Sequence, residues 1–145
     1  MSDKLDVVGI GNAMVDAIIP SNQSEIEKHE INRDSMNLID ENLKNNLHES
    51  YSIREMAGGG SLGNSMFGIT SFGGNGSFIG KIKNDEVGIF LQKDMVREGL
   101  QFPLGFTSPD ISTGCCTIFV EEDGTRTMCT FLGAGTLIGP DDIND

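Results

Sequence analysis

Glycine placement constrains this chain more than any other feature. Nineteen of its 145 residues are glycine. They gather at defined points rather than in a low-complexity tract, which marks close backbone approaches and turns instead of disorder. The densest run is residues 57–76, AGGGSLGNSMFGITSFGGNG. Within it Leu62, Met66, Ile69 and Phe72 recur at helical spacing, with Phe67 beside them. That pattern predicts a helix over 61–72, ended by Gly73-Gly74.

Around this run the chain alternates between strand and helix signals. Residues 5–10 (LDVVGI) form a short β-branched apolar run and predict a buried strand. Residues 13–19 predict a second extended segment, stopped by Pro20. Residues 21–50 are polar; Ser24 is a candidate helix N-cap, and Ile26, Leu38, Leu43 and Leu47 are spaced for one or two amphipathic helices. Residues 51–56 predict a return strand and residues 75–80 another. Asn84-Asp85 opens a helix over 86–98 closed by Gly99, with Val87, Phe90, Leu91 and Met95 on its apolar side. Two β-rich runs, 115–120 and 125–132, flank Glu121-Glu122-Asp123-Gly124, a strong hairpin signal. Pro140-Asp141-Asp142 resembles the start of one more helix, so the chain reads as a truncated domain. The order predicts an α/β sheet with a small β appendage.

The length suffices for one domain with a sizeable core. Ten Lys and Arg against 22 Asp and Glu give a net charge of −12. Phosphate attraction needs a basic patch, so this balance argues against a nucleic-acid binder. Residues 1–6 are polar, and no apolar run is long enough to span a bilayer. The expectation is a cytoplasmic protein without a membrane partner. Cys115, Cys116 and Cys129 are an odd number without a disulfide framework. They read as reduced, with the adjacent pair on opposite faces of a strand.

Several motifs fail on their own terms. Gly9-Ile10-Gly11-Asn12-Ala13-Met14 begins like a dinucleotide fingerprint, but Met14 occupies its third small position and an extended segment follows. Gly80-Lys81 has no P-loop glycine at position 75 and no hydroxyl at position 82. His29 and His48 are isolated in polar stretches and read as solvated. No metal site is expected, because the cysteines lack metal-binding spacing.

Two constellations remain. Asn12 and Asp16 follow the first strand, where ligands of open α/β sheets collect. A carboxylate beside an amide there binds vicinal sugar hydroxyls, or else caps a turn. Gly58-Gly59-Gly60-Ser61-Leu62-Gly63-Asn64 enters a helix, either as a ligand cradle with free N–H groups or as a closely packed helix entry.

Taken together, these segments resemble the PfkB (ribokinase-like) carbohydrate and nucleoside kinase family. Residues 57–88 are similar to its first signature region: a di-glycine, Asn64, a helix to Gly73-Gly74, a strand into Gly80, then Asp85 and Gly88. Gly11 to Asp16 resembles the substrate motif of the adenosine-kinase-like members, and Thr113 to Met128 their lid hairpin. The resemblance covers nearly the whole chain in order. It implies the N-terminal part of a three-layer α/β/α sandwich with a small β-sheet lid, made here by about 13–19 and 113–132.

The same resemblance implies ATP-dependent phosphoryl transfer, with magnesium, to a hydroxymethyl hydroxyl of a sugar or nucleoside. Asp16, Asn12, Gly59, Gly60 and Asn64 would hold the sugar. Phe119, Met128 and Thr130 would line the lid's inner face. Arg126 would contact the transferring phosphate, or stand exposed on the hairpin. The family's catalytic aspartate lies in a GAGD motif of the C-terminal half. Gly133-Ala134-Gly135 ends in Thr136 instead, so no catalytic base is expected in this chain. The rival expectation is a non-catalytic sugar-binding module, or one that pairs through the lid hairpin as a homodimer.

Overall fold

The computed structural model describes residues 4–143. Residues 1–3 of the polar start lie outside the described residues. Strand β1 (Val7–Ile10) pairs in parallel with β5 (Gly76–Ile79). Helix α3 (Ser61–Ser71) packs on the face of this pair that carries Gly9 and Gly76, where its Met66 and Leu62 leave no room for a side chain at Gly9. Val8 and Ile10 on the other face are each 49% exposed.

A larger sheet of five strands has the order β3-β9-β8-β2-β4. Its members are β2 (Met14–Pro20), β3 (Met36–Leu38), β4 (Glu55–Gly59), β8 (Gly114–Val120) and β9 (Arg126–Phe131). β2 runs parallel to β8 and antiparallel to β4, and β8 and β9 form the antiparallel hairpin expected from Asp123-Gly124. A short parallel pair, β6 (Ile82–Lys83) and β7 (Phe106–Ser108), completes the strands. Helices α1 (Gln23–Glu27), α2 (Glu41–Ser50) and α4 (Glu86–Arg97) fill the connections.

Two apolar clusters hold these parts. Ala13, Val15, Met66, Phe78, Ile82, Leu91, Met95 and Leu100 form one, where β2 and β5 meet α3 and α4. Ile19, Ile26, Leu47, Phe119 and Cys129 form the other, between α1, α2 and the large sheet. β2 serves both because its odd residues, Val15, Ala17 and Ile19, are all buried on one face. Its even residues face the other way.

Local chemistry explains the helix starts and corrects some expectations. Asn22, not Ser24, caps α1: its extended backbone lets Oδ1 accept from the Glu25 N–H, and the Ser24 hydroxyl donates to the same oxygen at 2.7 Å. Asp40 and Asp85 cap α2 and α4 through the N–H groups of Leu43 and Gly88. The polar stretch 21–50 contains both expected helices but also β3, so Leu38 lies on an edge strand rather than a helix and is 66% exposed. The return strand is Glu55–Gly59, further along than the expected 51–56, because pairing with β2 runs from Ile18 opposite Glu55 to Met14 opposite Gly59. Pro140–Asp142 is a single 3-10 turn. The three cysteines are free and buried. No helix among the described residues is long and apolar enough to cross a membrane.

Candidate functional site

The chain passes between its small parallel pair and its five-stranded sheet at glycines. Gly11 leads from β1 toward β2, and Gly59-Gly60 leads from β4 into α3. Gly60 has φ +78°, which favours glycine, and a side chain there would press on Met14. Asp16 sits between these crossings, on the even face of β2. A β-carbon on Gly59 would overlap the Asp16 carboxylate, so the absence of a side chain at 59 is what gives that carboxylate its place.

Strand register defines the surface around Asp16. One row across the sheet reads Ala57 (β4), Asp16 (β2), Cys116 (β8), Thr130 (β9) and Leu38 (β3). The next row reads Glu55, Ile18, Ile118, Met128 and Met36. Paired residues project to the same side of a sheet, so Asp16 lies beside a small polar floor and then a band of apolar side chains. The Thr130 hydroxyl donates to Cys116 Sγ at 3.4 Å, which fixes the floor next to the carboxylate.

Asp16 is half-buried and makes no hydrogen bond or ion pair within the described residues. Burial pushes its carboxyl up from the ordinary 3.8. A carboxylate so placed is an acceptor waiting for donors, and two adjacent hydroxyls match its two oxygens. Asn12 is exposed at the nearby crossing, and its side chain packs so closely on Gly135 that a β-carbon at 135 would lie 3.0 Å from Oδ1. Asn64 is exposed in the first turn of α3, its N–H bonded to the Gly60 carbonyl at 2.9 Å.

The structure therefore brings Asn12, Asp16, Gly59 and Gly60 together, with Thr130 and Met128 in the first and second rows. It does not bring Phe119 to them. Phe119 pairs with Thr127 and Ile19, on the odd face, and is fully buried against Ile26 and Leu47. Its ring stacks on His29 at 6.5 Å and meets Tyr51 edge-on at 5.3 Å. The residue that shares the Asp16 face is Ile118, one position earlier. Arg126 is exposed at the hairpin end opposite Val120, about 13 Å along β9 from Thr130 at the usual strand rise.

Several neighbours carried no sequence signal of their own. Cys116, Ile118 and Ile18 follow once the hairpin register is counted back from Asp123-Gly124. Asp94 of α4 is different: it is 6% exposed, accepts from the Gly58 N–H at 2.7 Å, and pairs with Arg97. No local pattern links it to the glycines. The two histidines are corrections too. His29 bonds the Tyr51 hydroxyl at 2.8 Å, and His48 bonds the Thr117 hydroxyl at 2.9 Å, so both are packed behind the sheet rather than solvated. Among the described residues no group of His, Cys, Asp and Glu side chains could hold a metal ion.

Known proteins resemble this chain in sequence and fold. The sequence matches the pfkB family carbohydrate kinase pattern over residues 5–142. The adenosine kinase from Sinorhizobium meliloti is 36% identical, superposes with a TM-score of 0.87, and is matched over 97% of this chain and 43% of its own. A probable sugar kinase from Rhizobium etli CFN 42 is 33% identical, with a TM-score of 0.85 over 97% of this chain and 42% of its own. The Anopheles gambiae adenosine kinase, at 23% identity and a TM-score of 0.81, shares the fold over 93% of this chain and 41% of its own. No curated protein shows significant sequence similarity to the chain. The chain thus spans less than half the length of these structures and has their mixed α/β, ribokinase-like fold. The match over 5–142 means that the chain belongs to the pfkB family of carbohydrate kinases.

Proposed function

We propose that this chain is the substrate-gripping portion of an ATP-dependent kinase that phosphorylates the hydroxymethyl hydroxyl of a ribose-bearing nucleoside or sugar. The observation that carries the reading is Asp16: a half-buried carboxylate without an internal partner, beside a glycine that cannot bear a side chain. Two vicinal hydroxyls donating to it would each contribute about 1.5–3 kcal/mol. Asn12, Gly59, Gly60 and Asn64 sit around the same crossing and would hold the remaining sugar oxygens.

The apolar row of Ile18, Ile118 and Met128 favours an adenosine-like substrate over a bare sugar. Beyond the ribose it offers an apolar surface for a base, with Thr130 and Cys116 between. The five-stranded sheet acts as the lid. Its exposed edge strand β3 also makes it the surface through which a homodimer would form. The net charge of −12 and the soluble character of such kinases fit a cytoplasmic enzyme without nucleic-acid or membrane partners.

ATP and magnesium belong to this reaction, the metal neutralising charge on the transferring phosphate. Among the described residues no group of three or more His, Cys, Asp and Glu side chains gathers to hold the metal by itself. At Gly133–Thr136 the fourth residue is a threonine in place of a carboxylate, and its hydroxyl donates to the Gly133 carbonyl at 2.9 Å. Arg126 remains a candidate phosphate contact, should the lid carry its hairpin end toward the substrate.

The test uses the full-length gene product with ATP and a panel of nucleosides and sugars. Transfer to a ribose-bearing substrate, lost together with binding in Asp16→Ala, is the expected result. Unchanged affinity in Asp16→Ala would overturn the site, and absence of transfer to every panel member the activity.

A further inference from the structure

Gly58 forms part of the sheet edge. It pairs with Val15 of β2, and among the described residues β4 has no strand on its other side. Its N–H is taken by Asp94 Oδ2 at 2.7 Å instead of by a strand carbonyl. A β-carbon on Gly58 would lie 2.7 Å from Phe67 Cζ and 2.9 Å from that same Asp94 oxygen. α3, α4 and the sheet edge therefore converge on one peptide, and the next residue is Gly59, against Asp16.

Asp94 is a costly residue in this position. Aspartate is a poor helix former, and near a helix C-terminus its charge opposes the helix dipole. Burying it demands partners. Its partners are the Gly58 N–H and the guanidinium of Arg97, itself mostly exposed. The core beside it is apolar, so packing alone would be served by leucine or methionine.

We infer that Asp94 is a positioning residue, which holds the Gly58 peptide so that Gly59 and Asp16 meet the substrate's vicinal hydroxyls. This rests on the reading of Asp16 as the hydroxyl-binding carboxylate. Asp94 sits across the crossing between α4 and the lid sheet, so it sets their relative angle without touching the ligand. Losing it loosens the sugar site and leaves the ATP site alone.

The experiment compares Asp94→Leu, Asp94→Asn and Arg97→Gln in the full-length protein. Removing a charged acceptor from a backbone N–H raises the nucleoside KM of Asp94→Leu about tenfold or more. The KM for ATP stays within about twofold, since a change confined to one site's binding leaves the other's unaltered. Asp94→Asn, which still offers a carbonyl oxygen, recovers most of the loss, and Arg97→Gln stays near wild type. An unchanged nucleoside KM in folded Asp94→Leu overturns the inference. So does a fall in kcat with a rise in both KM values, the signature of a merely structural role. If Asp94→Leu does not fold, amide hydrogen exchange at Gly58 in the smaller Asp94→Ala, which offers no acceptor, decides. Faster exchange, restored by adding nucleoside, supports the inference, and wild-type exchange overturns it. Failure of the kinase reading is separate: wild-type protein would then phosphorylate no nucleoside or sugar, while Gly58 exchange would still report the Asp94 bond.

Discussion

Gly59 and Asp16 share one space: a β-carbon built on Gly59 would overlap Asp16 Cγ and both carboxylate oxygens. The two residues sit on adjacent antiparallel strands, Gly59 opposite Met14 and Asp16 opposite Ala57. The carboxylate leans over the glycine backbone because nothing there pushes it away. Loss of either residue should therefore damage one site by two routes.

Gly59→Ala forces the Asp16 side chain aside or moves β4. Overpacking of this kind costs about 1–3 kcal/mol of stability. Displacing the carboxylate also removes charge-assisted bonds to the ligand, so nucleoside binding weakens by about 30-fold or more. Calorimetric titration beside a thermal melt separates the two effects. Wild-type affinity in the alanine variant would show that the contact is incidental.

Asp16→Asn should raise stability while abolishing binding. Burial lifts the folded carboxyl above its ordinary 3.8, so folding favours the protonated acid. Below 3.8 the group is neutral in both states and imposes no penalty. The penalty grows as pH rises through the shifted value and is complete at neutral pH. The asparagine variant should thus melt higher than wild type at pH 7, and the gap should close as pH falls into the carboxylate range. Melts at pH 3 to 7 without ligand measure this. A variant that melts lower at pH 7 would mean that Asp16 has a stabilising partner.

Phe119 and Met128 lie on opposite faces of one hairpin and should fail in opposite ways. Phe119 is fully buried, so Phe119→Ala costs about 3–5 kcal/mol. Met128 is only partly buried, on the face with Asp16, so Met128→Ala should leave the melt nearly unchanged and raise the nucleoside KM. Urea unfolding and steady-state kinetics on both variants distinguish the faces. A reversal of the two phenotypes would place the substrate on the wrong side.

The error over Phe119 shows where the sequence stops being legible. Alternation told correctly that β8 and β9 have two faces, and Asp123-Gly124 told where the hairpin turns. Which face is inner depends on register, and a one-residue error exchanges every side chain. The glycine crossings are legible as close backbone approaches because glycine is needed where backbones touch, whereas a sugar-binding role for Gly59 and Gly60 comes from the family resemblance. Asp94 was not legible, since its partner is a peptide N–H 36 residues away and any residue type supplies one. The histidines misled in the same manner: Tyr51 and Thr117, which hold them, are distant in sequence.

His48 gives the last prediction, on the far side of the five-stranded sheet. It packs between α2 and β8, bonded to Thr117, with Cys115 Sγ 3.9 Å away and Lys44 on its own helix. Burial first, and the positive charge of Lys44 second, hold its imidazole below the ordinary 6.5. The unfolded chain therefore takes up a proton before the folded one does. Stability is full above about pH 6.5 and is lost as pH falls through the depressed folded value. His48→Gln keeps a hydrogen-bonding group but cannot titrate, so its melting temperature should fall less between pH 7 and 5 than that of wild type. Lys44→Met preserves the buried stem and deletes the charge. Because burial is the larger cause, Lys44→Met should flatten the pH dependence only in part. Equal slopes in wild type and His48→Gln would mean that His48 titrates as in free solution, and the packing described behind the sheet would then be wrong.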